Sequence, residues 1–118
     1  MNQFVRVFIV DDQPAARQAL KAVLALCPAM QVIGEAANGQ QAVQSVAALQ
    51  PDVVLMDIQM PIMNGLDATR LIKNRLPAIK VVVLTAYATN RTEALAAGAD
   101  NFVFKGEAFE ALQNAILG

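Results

Sequence analysis

Two short stretches, Val53-Val54-Leu55-Met56 and Val81-Val82-Val83-Leu84, are apolar at every position. A strand with one wet face alternates apolar and polar side chains. A short, β-branched run without alternation instead suits a strand covered on both faces. Such strands belong to parallel sheets, whose crossover connections lay helices over both surfaces. The rest of the chain fits that frame. Val5–Val10, Val32–Ala36 and Phe102–Phe104 read as three further strands, and helical periodicity fills the gaps between all five. Leu20, Val23, Leu24 and Cys27 recur at helical spacing, as do Val43, Val46 and Ala47, then Ala68, Leu71 and Ile72, and finally Phe109, Leu112 and Ile116. A short alanine-rich helix is expected from about Asn90 to Ala97.

Boundary residues agree with these spans. Pro14 suits a first helical position, Asn38-Gly39 makes a turn before the second helix, and Gly98 closes the fourth. Val32-Ile33-Gly34-Glu35 is interrupted by a glycine and a charge, which places that strand at an edge. With right-handed crossovers, the expected fold is α/β: a flavodoxin-like three-layer (βα)5 domain with a five-stranded parallel sheet of order 2-1-3-4-5. At 118 residues, 56% of them apolar, residues 1–118 are expected to form one domain around one core.

Composition also narrows the chemistry. The net charge is −1 and the nine basic residues are scattered, so no phosphate-backbone footprint is present and direct nucleic-acid binding by this domain is not expected. Apolar runs are too short to span a membrane, and Val5 to Val10 is too short for a secretory leader, so a cytoplasmic location is expected. The single cysteine, Cys27, reads as a small buried hydrophobe. There is no histidine, which removes histidine triads, ordinary zinc sites and an internal phosphohistidine. Carboxylates, hydroxyls and lysine remain.

Those groups collect in one place. In such a sheet, ligands bind beyond the carboxyl ends of the strands, where strand order reverses between the first and third. The first strand runs into Asp11-Asp12, the third into Asp57, the fourth into Thr85 and the fifth into Lys105. Each has a plainer reading taken singly. One aspartate could cap the helix at Pro14, Asp57 could start a turn, Thr85 could be an ordinary strand residue, and Lys105 could be a solvated strand end. Those readings do not explain why all five share one rim. Three crowded carboxylates repel each other unless one is protonated or a cation joins them. An all-oxygen site suits a hard divalent ion, magnesium first and manganese second. With that repulsion relieved, Asp57 could attack phosphorus and form an aspartyl phosphate.

The residues that carry a family resemblance are Val10-Asp11-Asp12, the stretch Asp57-Ile58-Gln59-Met60-Pro61-Ile62-Met63-Asn64-Gly65, Thr85-Ala86, and Phe102-Val103-Phe104-Lys105. Over essentially its whole length the chain resembles a response-regulator receiver domain of two-component signalling. The resemblance implies that Asp57 is the phosphoacceptor and that Asp11, Asp12, Asp57 and the backbone carbonyl of Gln59 hold the metal. It implies that Lys105 pairs with the phosphoryl group and that Thr85 hydrogen-bonds it. It also implies a switch in which Thr85 draws the loop from Ala86 to Asn90 inward and Phe102 changes rotamer, altering the surface of the fourth helix, fifth strand and fifth helix.

The implied partners are a histidine kinase or phosphotransfer protein and an output domain or downstream protein, with a phosphorylation-dependent homodimer as a further implication. Lys105-Gly106, in place of the lysine-proline of many receivers, leans towards the branch with helix-turn-helix outputs. The segment Thr85 to Gly98 is slightly short for the family, which trims the fourth helix. Three rival functions fit these residues less well. A flavin carrier would need a phosphate cradle where Asp11-Asp12 stands, and an aspartate-nucleophile phosphatase would want an acid at Gln59. A binding module that kept only the fold would not need Asp57, Thr85 and Lys105 together.

Overall fold

The computed structural model describes residues 4–86 and 90–118. Five strands alternate with five helices. They are β1 (Val5–Val10), α1 (Pro14–Leu24), β2 (Met30–Ala36), α2 (Gly39–Leu49), β3 (Val53–Met56), α3 (Gly65–Arg75), β4 (Lys80–Thr85), α4 (Arg91–Ala96), β5 (Asn101–Phe104) and α5 (Phe109–Leu117). The strands form one parallel sheet in the order β2-β1-β3-β4-β5, as expected, with β2 at an edge.

The uninterrupted apolar runs do what their composition demands. Val54, Met56, Val81 and Val83 pack on one face with Phe8 and Val10, beneath Ala42 and Val46 of α2, Ala68 and Ile72 of α3, and Ala94 of α4. Val53, Leu55, Val82 and Leu84 pack on the other face with Val7 and Ile9, beneath Leu24 of α1 and Leu112, Ala115 and Ile116 of α5. Phe8 is fully buried, and its truncation to alanine would remove about 3–5 kcal/mol.

Several local expectations shift. β2 begins two residues earlier than its apolar run, and Lys80 and Thr85 extend β4 by pairing with Val53 and Phe104. α4 is trimmed to six residues. α1 stops at Leu24, so Cys27 lies beyond the helix. It still reaches the same core, because the Leu24 carbonyl accepts from the Cys27 amide and continues the turn. On α2 the buried face is Gly39, Ala42 and Val46, while Ala47 points outward. The expected face of Val43, Val46 and Ala47 is thus corrected at Ala47, while Val43 packs against the core. Gly98 does end α4, with a φ of 102° that a side chain would disfavour. Of the expected switch loop, Tyr87, Ala88 and Thr89 lie outside the described residues.

Candidate metal and phosphoryl site

Asp11, Asp57 and Lys105 each sit just past the last pair of their strands, held by one more ladder bond. The Asp11 amide donates to the Ala36 carbonyl at 3.1 Å, the Asp57 amide to Val10 at 3.0 Å, and the Lys105 amide to Thr85 at 2.8 Å. These residues therefore inherit the rigidity of the sheet while their side chains clear its edge. Asp11 is buried, Asp57 largely so, and Thr85 is buried at the end of β4. Carboxylate oxygens of Asp11, Asp12 and Asp57 lie within 4.8 Å of one another. Gln59, exposed, follows two residues after Asp57, and Phe102 is half-buried against the α2–α3–α4 side of the core.

Lys105 reaches into this cluster from the opposite wall. Its Nζ lies 3.0 Å from Asp11 Oδ2 and 3.9 Å from Asp57 Oδ2, so the ammonium pairs more closely with Asp11 than with the expected acceptor. Three carboxylates face one ammonium, and negative charge is left in excess. Burial pushes the Asp57 carboxyl above its ordinary range. Lys105 opposes that shift, Asp11 adds to it, the Ile58 amide opposes it, and Asp12 adds to it. An all-oxygen, net-negative cluster on a rigid edge is a donor set that suits a hard divalent cation.

The capping role considered for Asp11 and Asp12 is not taken up. The N-cap of α1 is Gln13, without a side-chain bond, and Asp11 Oδ1 instead accepts from the Gln13 amide at 2.9 Å. The β3–α3 loop is shaped by close approach. A Cβ on Gly65 would fall 1.7 Å from the Asp57 carbonyl oxygen, and the Gly65 amide donates to Ile58 at 2.7 Å. Asn64 then caps α3 by accepting from the Asp67 amide. Ile62, in the same loop, holds a positive φ of 70° that is rare for a β-branched residue.

Sequence reasoning missed Arg17, whose guanidinium donates to the Asp11 carbonyl at 2.7 Å. The available signal was its place one turn into α1, since helical side chains lean back towards the N-terminus. Beside the cluster, a cleft of about 320 Å³ runs between α1 and α5. Leu20, Val23, Phe109 and Leu112 line it, and Asp11 and Lys105 stand among its lining residues.

The response regulator receiver domain family matches residues 7–117. The chain is 37% identical over 115 residues to the transcriptional regulatory protein LnrK of Bacillus subtilis, covering 96% of this chain and 52% of that protein. It is 44% identical to a protein-glutamate methylesterase/protein-glutamine glutaminase of Pseudoalteromonas atlantica, covering 85% of this chain and 27% of the other. The chain thus spans about half the length of the first relative and about a quarter of the second. Among solved structures, the response regulator TrrA of Thermotoga maritima, in complex with Mg2+ and a beryllium fluoride, superposes with a TM-score of 0.87. It is 30% identical, with 95% of this chain and 96% of that one covered.

Proposed function

The chain belongs to the receiver family of two-component response regulators, and from that premise we propose that Asp57 is its phosphoacceptor and that magnesium joins Asp11, Asp12 and Asp57. The observation that carries this reading is the convergence of three carboxylates and one lysine where β1, β3 and β5 end. The magnesium complex of the Thermotoga relative supports the choice of metal, and manganese is the next-best fit by donor chemistry.

When bound, the cation supplies positive charge that offsets the crowded carboxylates and polarises the incoming phosphoryl oxygens. The remaining steps belong to this chain. Asp57 Oδ1 accepts from the Ile58 amide at 2.9 Å, which fixes the plane of the carboxylate. A carboxylate oxygen attacks phosphorus in line, a P–O bond forms, and the P–N bond of a donor phosphohistidine breaks with its electron pair leaving on the ring nitrogen. Lys105 moves from Asp11 to an equatorial phosphoryl oxygen, and Thr85 donates its hydroxyl to another. The new charge biases Thr85 and Phe102, and the surface of α4, β5 and α5 changes with them.

The domain is regulatory, and the only chemistry assigned to it is its own phosphorylation and dephosphorylation. The donor is a histidine kinase or phosphotransfer protein. The apolar cleft between α1 and α5, with Asp11 and Lys105 among its lining residues, is the surface offered to that donor. The receiver of the signal is an output domain or downstream protein, of helix-turn-helix type by the Lys105-Gly106 lean, and a phosphorylation-dependent homodimer is a further route of transmission. The setting is cytoplasmic, with residues 1–118 acting as one receiver domain. Among the described residues, no helix is long and apolar enough to cross a membrane.

Incubation with Mg2+ and acetyl phosphate, followed by intact-mass measurement, tests the reading. One hydroxylamine-labile phosphoryl group is the expected result. An unmodified mass, with a known receiver labelled in parallel, would sink it.

A further inference from the structure

We propose that Arg17 is a positioning residue for the metal site, acting through the peptide bond that joins Asp11 to Asp12. This rests on the assignment of those two aspartates to the metal. In the turn that carries them, the Asp11 side chain is held by Lys105 at 3.0 Å, but the peptide beyond it is not. α1 begins without a side-chain cap and with no acidic residue in its first turn. Asp11 is anchored on one side by its amide bond to Ala36 and on the other by its own side chain, which accepts from Gln13.

The carbonyl of Asp11, which sets the plane of the 11–12 peptide, is held by Arg17 Nη1 at 2.7 Å. Among the described residues Asp12 makes no ion pair, so the direction of its carboxylate depends on that peptide plane.

Arg17 is itself held from behind. Its Nε donates to Glu35 Oε1 at 2.8 Å, and Lys21 pairs with Glu35 Oε2 from one turn further along α1. Glu35 stands on β2 opposite Ile9, two residues before Asp11. The planar guanidinium therefore bridges a carbonyl and a carboxylate on different strands, with its side chain only 16% exposed. A lysine has one point charge and no fork, and it cannot span both partners with fixed geometry.

Two physical roles for Arg17 predict opposite signs. A nearby cation acting only through its charge repels a divalent ion, so its removal would tighten Mg2+ binding. A residue that orients metal ligands weakens binding when lost, by about tenfold.

Calorimetric Mg2+ titration of the full chain should show about tenfold weaker affinity in Arg17→Gln and a similar loss in Arg17→Lys. Glu35→Gln, which leaves Arg17 in place but unanchored, should show a smaller loss. In metal-free protein, the amide resonances of Asp12 and Gln13 should shift in all three variants, while those of β3 and β4 stay put. Unchanged or tighter Mg2+ binding in Arg17→Gln, full affinity in Arg17→Lys, or unmoved Asp12 and Gln13 amides would overturn the proposal. If the wild type itself fails to bind Mg2+, the metal assignment falls instead, and the metal-free amides still report whether Arg17 orders the turn.

Discussion

The two ends of the sheet are built on opposite electrostatic plans. At the amino ends of the strands Arg6, Asp52, Lys73, Lys80 and Asp100 all have close partners. Arg6 donates to the Leu49 and Gln50 carbonyls at the end of α2, and its amide donates to Asp52. Lys80 lies over the Ala115 and Ile116 carbonyls at the end of α5. Lys73 ties Pro77, Ile79 and Asp100 together, and Asp100 also accepts from the Val81 amide. Cations placed on helix C-terminal carbonyls satisfy otherwise orphaned acceptors and complement the helix dipole. At the carboxyl ends, Lys105 is shared by Asp11 and Asp57, and among the described residues Asp12 has no ion pair. One end is closed for stability, and the other is left with uncompensated charge for a ligand to complete. Proteins tolerate such local debts at functional sites because the rest of the fold holds them in place.

Disturbing either end should separate stability from function. The largest effect is expected from Asp57→Asn, which removes the acceptor and should abolish phosphoryl uptake from acetyl phosphate, read by intact mass. A retained adduct would move the acceptor to another carboxylate. At the closed end, Lys73→Met should lower stability by about 1–2 kcal/mol, since Asp100 and two carbonyls lose a charged donor. Chemical denaturation measures that loss, and phosphorylation and Mg2+ affinity should stay at wild-type levels. Reduced labelling in a folded Lys73→Met protein would break the division between the two ends.

A third prediction concerns pH. Burial raises the folded-state carboxyl of Asp57 above its unfolded value. Its contribution is therefore favourable below the ordinary carboxylate range and is lost as pH rises through the raised value. Metal-free wild type should lose melting temperature relative to Asp57→Asn across that window, and Mg2+ should reverse the difference at neutral pH. A difference curve that is flat with pH would remove the uncompensated charge from the account. The smallest effect is expected from Thr85→Ala. Labelling should persist, while the amide shifts that beryllofluoride induces in β5 and α5 shrink. Undiminished shifts would take Thr85 out of the relay.

Much of this was legible in the residues. The all-apolar runs of β3 and β4 could be buried on both faces only in a parallel sheet with helices on either side, and that sheet set the rim where Asp11, Asp12, Asp57, Thr85 and Lys105 gather. Gly65, read as a tight turn beside the site, proved to lie against the Asp57 carbonyl. Less legible were the limits of the helical faces. Cys27 keeps helical spacing but lies past the end of α1, and Ala47 keeps it but faces outward. Periodicity constrains which residues share a face and leaves open where the face ends, because the last turn is decided by what packs against it.

From the sequence alone came the strand order, the rim and the identity of its charged groups, since strand period and crossover handedness are local physics with few outcomes. Only the tertiary structure decided that Lys105 lies closer to Asp11 than to Asp57, that neither aspartate caps α1, and that Arg17 joins Asp11 to Glu35. Those pairings link residues up to 94 positions apart, and their geometry depends on the register between strands and the lean of one helix over the sheet. No spacing along the chain encodes either quantity by itself.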